Sequence, residues 1–465
     1  MGTDDGYVQL TRDGGKSWKN VTPPGVGEAM VNIIEVSPHA PATAYVTISK
    51  YKFNDFTPLV FKTTDFGATW TKIVDGIAPD AWARVVREDP VRKDLLYLGT
   101  ETGFYISFTG GQRWTKLQLN LPVTPITDLR VHGNDLVAST AGRAFWILDD
   151  LSALQQWTDA TVTTDVRLFT PRATWRTQAF GGFGGTNPRA GRSAPDGALI
   201  TFWMATVPEG DVAIDILKGG TVVRRYSTKK PDADAPVSLD APPGALTVKA
   251  GLNRLVWNLR YDPAVPVPGL YVFGTLQGRR VLPGDYQVRL TAGGRTLTAP
   301  LTVRMDPRVT TPLSELRAQE ELHVRVDEQL NAVHRAVIRL RDVRSQVEDV
   351  IKRTKGTPGG DAIEKAGRAY VEKLNALEDA LVQKRVVDGQ TVINFPQRLN
   401  QYYIYLRSAI DASDSGTTDG QQARLAALGE DWARQQRSAG TLFGDDLAAF
   451  NRLVRDRNVP AVVAK

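Results

Sequence analysis

The chain of 465 residues has no cysteine and only four histidines, which narrows its chemistry. Without cysteine there is no disulfide, no thiolate metal site and no cysteine nucleophile. His323 and His334 fall on one predicted helix about 16 Å apart, which is too far to share a metal ion. The sequence therefore predicts no metal site and no cofactor.

The chain also lacks long apolar runs and any segment dominated by charge of one sign. No stretch approaches the roughly 18 apolar residues that span a bilayer, and Met1–Asp5 lacks the layout of a secretory signal. The net charge of +6 comes from 57 basic and 51 acidic residues that are spread thinly along the chain. We therefore expect no membrane span and no nucleic-acid partner.

A short pattern ending in tryptophan is present three times. It reads TRDGGKSW at 11–18 (box 1), TTDFGATW at 63–70 (box 2) and SFTGGQRW at 107–114 (box 3), and 139–145 looks like a degenerate fourth copy. Three positions after each tryptophan stands an aliphatic residue: Val21, Ile73 or Leu117. Short β runs and glycine turns at a period in the forties are typical of a β-propeller with one four-stranded blade per repeat.

The pattern S/T-x-D-x-G-x-x-W resembles the Asp-box (BNR) repeat of sialidases, sortilin-like receptors and bacterial propeller proteins often labelled glycosyl hydrolase. A propeller region ending in Gly142–Asp150, then a β domain and helices, resembles the C-terminal portion of such bacterial proteins. In that family the box lies at a turn away from the central pocket, so the resemblance implies a structural role. The residues concerned are Thr11, Asp13, Gly15, Trp18, Thr63, Asp65, Gly67, Trp70, Ser107, Gly111 and Trp114.

The chemistry of the box agrees with such a role. The Asp carboxylate can accept backbone N–H bonds in a tight hairpin, the glycine supplies a positive φ, and the tryptophan packs between blades. Box 3 departs from the pattern, because Thr109 replaces the aspartate. Three copies and a remnant cannot close a ring of about four to eight blades. We therefore predict a partial propeller over 1–160 that upstream blades or another chain complete.

Two further domains are predicted, which makes the fold class mainly β with an α-helical C-terminal part. Over 161–308, alternating strands and the turn Gly293-Gly294 predict an immunoglobulin-like β-sandwich. The glycine-rich stretch 181–188 completes no phosphate-binding motif and predicts a loop. Over 309–465, apolar stripes predict a helical bundle, with Thr311 capping its first helix and Thr418 and Gln421 forming a capping box.

The sequence says less about the function of the chain than about its fold. A glycoside hydrolase needs two carboxylates across a cleft, and no motif identifies such a pair, so we assign no catalytic residue. Trp82, Arg84, Arg143 and Trp146 could line a pocket for a glycan or peptide, although both tryptophans could equally pack between blades.

These observations favour a non-catalytic protein- or glycan-binding and assembly module of a larger secreted propeller protein. The alternative is the C-terminal part of a glycoside hydrolase, sialidase-like or related, whose catalytic blades lie upstream or on another chain. If the true N-terminus lies upstream, we expect a periplasmic or extracellular location.

Overall fold

The computed structural model describes residues 1–177, 191, 193–229, 245–385, 394–457 and 459. The chain divides into two compact units, Met1–Thr161 and Val162–Lys465. The predicted glycine-rich loop at 181–188 lies outside the described residues. The predicted division into three domains stays a prediction.

The first unit consists of four small antiparallel sheets in chain order. Sheets B and C are four-stranded meanders, whereas sheet A has two strands and sheet D has three, and the described residues form no closed propeller. Sheet A contains β1 (Gln9–Leu10) and β2 (Lys19–Asn20); sheet B contains β3 (Met30–Val36), β4 (Ala44–Lys50), β5 (Asp55–Thr63) and β6 (Thr71–Lys72); sheet C contains β7 (Ala83–Glu88), β8 (Leu96–Thr100), β9 (Phe104–Ser107) and β10 (Thr115–Lys116); sheet D contains β11 (Ile126–His132), β12 (Asp135–Thr140) and β13 (Phe145–Leu148).

Strand β8 of sheet C is buried on both faces. Because successive side chains of a strand point to opposite faces, Leu96 and Leu98 of β8 pack in the core shared with sheet B, and Tyr97 packs in the core shared with sheet D. This double burial explains why β8 reads as a continuous apolar run. A 3-10 turn at Tyr51–Phe53 follows β4, and the short helices α1 (Ser152–Gln155) and α2 (Asp159–Thr163) follow β13.

The second unit begins with two sheets that share one core. As predicted, Gly293 and Gly294 make the turn between two long strands, and both have positive φ. The three-stranded sheet contains β14 (Val166–Leu168), β16 (Ala198–Met204) and β19 (Gly251–Trp257); the five-stranded sheet contains β15 (Thr174–Arg176), β17 (Ala213–Lys218), β18 (Thr221–Ser227), β20 (Gly284–Ala292) and β21 (Arg295–Met305).

From Leu313 onward the unit is mainly helical, which confirms the predicted helical C-terminal part. The elements are α3 (Leu313–Thr354), α4 (Gly360–Leu381), α5 (Leu399–Asp411), α6 (Asp419–Thr441), a π-helical turn (Leu442–Asp446) and α7 (Leu447–Asp456). The capping box of Thr418 and Gln421 forms at the start of α6. The predicted cap at Thr311 does not form: Pro312 is the N-cap of α3, and the Thr311 hydroxyl donates to the Asp414 carbonyl instead.

A segment from the β region, 262–278, lies along the helices. The Val265 amide donates to Asn331, and Nδ1 of His334 lies 2.5 Å from the Val265 carbonyl. Burial lowers the pKa of His334 to about 4, so the neutral ring donates this bond at neutral pH. Leu270 and Leu276 are buried in the helical core. That core is therefore completed by residues that precede position 309.

Candidate binding site

The three boxes form closed turns held by their own side chains. In box 2, Oδ1 of Asp65 accepts the Thr69 amide at 2.9 Å and Oδ2 accepts the Thr69 hydroxyl at 2.6 Å, while the Thr63 hydroxyl accepts the Gly67 amide at 2.9 Å. These hydrogen bonds lower the pKa of Asp65 to about 2. Box 1 contains the same bonds and an aspartate of similarly lowered pKa, using Thr11, Asp13, Gly15 and Ser17.

Box 3 makes the same turn without a carboxylate. The Ser107 hydroxyl accepts the Gly111 amide at 3.0 Å, and the Thr109 hydroxyl accepts the Arg113 amide at 3.2 Å. A hydroxyl therefore takes the acceptor position that the aspartate holds in the other boxes. The turn depends on an acceptor at this position rather than on a charge.

The tryptophan of a box bonds to the sheet before it. The Trp70 indole N–H donates to the Val21 carbonyl at 2.7 Å, and the Trp114 indole N–H donates to the Ile73 carbonyl at 2.9 Å. Each acceptor stands three residues after the tryptophan of the preceding box. The segment that follows the outer strand of one sheet therefore receives the box of the next sheet, and we call it the receiving segment.

Glycine is required where box and receiving segment meet. A Cβ atom on Gly67 would lie 2.7 Å from Cβ of Val21, and a Cβ atom on Gly111 would clash with Ile73. Both glycines also have positive φ, at +79° and +91°. The glycine of the pattern is therefore needed for two reasons: the turn requires its positive φ, and the neighbouring sheet approaches too closely for a Cβ atom.

Two ends of this series are unmatched. Trp18 of box 1 is 49% exposed, and its indole donates to no carbonyl within the described ranges. At the other end, the receiving segment of sheet C, Leu117–Leu121, meets no box, because the chain enters α1 after β13 instead of forming one. The series therefore has a tryptophan without an acceptor at one end and an acceptor without a tryptophan at the other.

An apolar groove marks the unmatched receiving segment. It is lined by Phe104, Leu117, Leu119, Trp146 and Leu148, among others, and Leu119 is 66% exposed. No hydrogen bond to the Leu117 carbonyl forms within the part of the chain that the structure describes. The groove thus has an apolar wall and a backbone acceptor, the two features that hold Trp70 and Trp114.

Sheet D borders the groove with an open edge. Its last strand, β13, pairs only with β12, and Phe145 and Ile147 on it are 75% and 58% exposed. The Trp146 indole donates to the Arg143 carbonyl in its own loop at 2.9 Å. Of the residues that the sequence proposed for a ligand, Trp146 therefore lines the groove, and Arg143 holds its indole.

The other proposed pair, Trp82 and Arg84, forms a separate cluster. The Tyr51 ring stacks on Trp82 with centroids 4.8 Å apart, and the Arg84 guanidinium lies 4.3 Å from the Trp82 centroid. Arg84 also pairs with Glu101 at 2.6 Å. Since Trp82 is buried and its neighbours are fixed, this cluster packs the unit, and a role in ligand binding stays a prediction for it.

One arginine binds two carboxylates that lie on the first strands of sheets B and D. Arg87 of β7 donates to Glu35 of β3 at 2.9 Å, to Asp128 of β11 at 2.7 Å and to the Leu129 carbonyl at 2.8 Å. Arg87 therefore cross-links three sheets. Two carboxylates engaged by the same guanidinium form a structural ion pair rather than an acid and base across an open cleft.

The second unit contains a buried charged cluster that the sequence did not predict. Asp414 accepts bonds from Arg176 and Arg280 at 2.5 Å each, and Asp411 accepts one from Arg260 at 2.7 Å. Burial, and then the nearby Arg280, lowers the pKa of Arg176. These pairs join the β-sheets to the end of α5, which indicates a structural role.

Within the described ranges, no three His, Asp or Glu side chains come together as a group that could hold a metal ion. None of the helices described is long and apolar enough to cross a membrane.

Comparison with known proteins gives structural neighbours only. No protein-family model and no curated protein matches the chain. One similar solved structure is YCF48 bound to D1 peptide, with 17% identity over 32% of this chain and 46% of that chain and a TM-score of 0.26. The GH74 enzyme of Niastella koreensis has 13% identity over 65% of this chain and 51% of that chain, with a TM-score of 0.26. The GH74 xyloglucanase of Xanthomonas campestris has 13% identity over 69% of this chain and 45% of that chain, with a TM-score of 0.25.

These neighbours are β-propeller proteins, and the chain spans about half the length of each. At these TM-scores the similarity carries no conclusion about the function of this chain. Neither the Asp-box family nor a sortilin relationship is established by it.

Proposed function

We propose that this chain is a non-catalytic binding and assembly module of a larger, secreted propeller protein, and that its first unit binds protein. The observation that carries the proposal is the groove over Leu117–Leu121. Two equivalent receiving segments in the same unit are each filled by a β-hairpin, whereas this one is open.

The groove favours a β-hairpin as its occupant. Its apolar wall suits an aromatic side chain, and the Leu117 carbonyl can accept an indole N–H. The open edge of β13 offers backbone groups to an added strand, which is a common way for a sheet to bind a peptide. A partner with an exposed tryptophan at the end of a tight turn fits both features.

A cyclised peptide with the sequence of 61–73, carrying box 2, is the probe for this proposal. We expect the dye-labelled peptide to bind the chain in fluorescence anisotropy, and the same peptide with Trp70→Ala to bind at least about tenfold more weakly. The Leu119→Asp chain should lose binding, because it places a charge in the groove. Leu252→Asp, at an exposed leucine of β19, is the matched control and should bind normally.

The glycoside hydrolase alternative predicts a different result. A hydrolase would turn over chromogenic aryl glycosides, whereas a binding module would not. Sustained turnover by the purified chain, together with failure to bind the box 2 peptide, would contradict the proposal.

A further inference from the structure

We propose that a small polar cavity in the second unit binds a monovalent inorganic anion of about the size of chloride. The cavity lies where β15 and the segment before β20 meet α3 and the end of α5. It is lined by charged, polar and apolar side chains, among them Arg176, Arg279, Arg280, Glu320, His323 and Asp411. The inference does not depend on the groove of the proposed function, which belongs to the first unit.

Buried polar atoms without a hydrogen bond collect at this cavity. Among the described residues, five that line it each contain one such atom: Nε of Arg176, Nε of Arg279, Nη1 of Arg280, Oε1 of Glu320 and Nδ1 of His323. The large majority of buried polar atoms in folded proteins have a hydrogen-bond partner. The cluster therefore indicates that the cavity holds a bound group.

Electrostatic contacts within the protein compensate three of these atoms in part. Nε of Arg279 lies 3.7 Å from Oε1 of Glu320, and Nδ1 of His323 lies 3.3 Å from Oδ2 of Asp327. The other two atoms, Nε of Arg176 and Nη1 of Arg280, donate to no atom in the described part of the chain. Because a guanidinium can only donate, the bound group has to accept hydrogen bonds.

The two guanidiniums with these free donors share one carboxylate. Nη1 of Arg176 and Nη2 of Arg280 both donate to Oδ1 of Asp414 at 2.5 Å, and all three side chains are at most 7% exposed. Nε of Arg280 also donates to Asp411 at 3.4 Å, but Asp411 accepts a shorter bond from Arg260. Like charges this close in a buried position repel each other, so a further negative charge between them is favourable.

The ion pairs around the cavity contain more positive than negative charge. Within the described ranges they join five arginines to four carboxylates, and His323 can only add positive charge. The arginines are Arg176, Arg260, Arg279, Arg280 and Arg407, and the carboxylates are Glu320, Asp327, Asp411 and Asp414. A monovalent anion balances this group, whereas a water molecule accepts the hydrogen bonds and leaves the excess charge in place.

The size of the cavity limits the anion to a small one. It has room for about one monatomic ion, which favours a halide over phosphate or an organic carboxylate. A halide there would bond to Arg176 of β15 and to Arg280 before β20, on the side of both guanidiniums that Asp414 does not occupy. Its binding should therefore stabilise the second unit.

Thermal unfolding of the full chain tests this stabilisation. Sodium chloride replaces sodium gluconate in steps at a constant total salt concentration, so that charge screening stays equal. We expect the unfolding temperature to rise by roughly 3 °C for each tenfold increase in chloride above its dissociation constant. Equal unfolding temperatures in chloride and gluconate would overturn the proposal and leave water as the occupant.

Two matched variants show whether the effect comes from the cavity. Arg280→Lys keeps the positive charge but removes Nη1, and it should abolish the rise with chloride. Arg260→Lys keeps the charge at a residue of the same ion-pair cluster that does not line the cavity, and its rise should equal that of the wild-type chain. Arg176→Lys, which removes the other free donor, replaces Arg280→Lys if circular dichroism shows that variant to be unfolded. A rise that persists in the cavity variant would overturn the site.

A crystal grown in sodium bromide locates the ion directly. We expect an anomalous difference peak within hydrogen-bond distance of Nε of Arg176 and Nη1 of Arg280. A map without a peak in the cavity would overturn the site whatever the unfolding temperature. A peak without chloride-dependent stabilisation would show an adventitious ion only, which also overturns the proposal. Each of these results leaves the proposed function of the first unit unchanged.

Discussion

At the scale of single residues, the box turn depends on an acceptor at its third position. Asp65 accepts hydrogen bonds from the amide and the hydroxyl of Thr69 and from the Thr63 hydroxyl. Thr109 accepts the amide of Arg113, at a longer distance, and shares a hydrogen bond with the Ser107 hydroxyl. The carboxylate therefore contributes one more bond than the hydroxyl does. Thr69 and Arg113 are exposed residues, so we expect each turn to contribute modestly to stability.

The first prediction compares these two positions. We expect Asp65→Ala to lower the thermal unfolding temperature more than Thr109→Ala does, because it removes three side-chain hydrogen bonds rather than two. The pKa of Asp65 is about 2 in the folded chain against an ordinary 3.8, so its contribution is complete above pH 3.8 and is lost as the pH falls towards 2.

Scanning calorimetry at pH 7 measures this difference. Asp80→Ala, at an exposed loop of the same unit, is the control for removing an acidic side chain. A larger loss for Thr109→Ala than for Asp65→Ala would contradict the comparison and place the alignment of box 3 in doubt.

At the scale of elements, the sheets of the first unit are joined by hairpins that reach back to the sheet before them. The tryptophan supplies apolar area and an N–H donor together, and the glycine allows the two segments to approach. This linkage is directional, because the donor belongs to the later sheet and the acceptor to the earlier one.

The second prediction concerns this linkage. Trp114→Phe keeps an aromatic ring but leaves the Ile73 carbonyl without its donor in a buried position, so we expect a loss of about 1 to 3 kcal/mol in the free energy of unfolding. Trp18→Phe should leave the stability of the single chain unchanged, since its indole bonds to no other sheet.

Urea unfolding of both variants at low protein concentration makes the comparison. Equal losses for the two variants would show that the indole bond to the preceding sheet does not stabilise the unit.

At the scale of the whole molecule, the second unit is stabilised by contacts between distant parts of the chain. Arg176 and Asp414 pair although 238 positions separate them, and 262–278 completes the helical core. His334 is central to that packing, since it bonds the segment to the longest helix.

The third prediction uses His334 as a pH reporter. Its pKa falls from an ordinary 6.5 to about 4 on folding, so between these values the unfolded chain binds a proton that the folded chain does not. The contribution of the neutral ring is complete above pH 6.5 and declines as the pH falls to 4, by up to about 3 kcal/mol.

Urea unfolding at several pH values between 7 and 4 measures this decline. In His334→Asn, whose amide can donate the same bond, stability should fall less steeply over this range. His132→Asn is the control for removing an exposed histidine. An unchanged slope in His334→Asn would exclude His334 as the source.

The sequence by itself determined the features that depend on neighbouring residues. The box pattern indicated three turns, and the change to a helical period marked the C-terminal part. The acceptor role of the residue three positions after a tryptophan was not predicted. Turn chemistry and periodicity act over a few residues, so they can be seen without the fold. The predicted Thr311 cap does not form, because α3 begins at Leu313 and Pro312 is its N-cap. The Thr311 hydroxyl instead donates to the distant Asp414 carbonyl.

Only the tertiary structure determined which tryptophans are buried and which side chains find a partner. All three tryptophans look alike in sequence, yet Trp18 is exposed and Trp114 is buried, because Trp114 packs against the segment after β6 and donates to the Ile73 carbonyl. The groove at Leu117 and the pairing of Arg176 with Asp414 likewise arise from segments that meet only in the folded chain. Burial and ion pairing are properties of spatial neighbours, and the order of residues along the chain does not specify them.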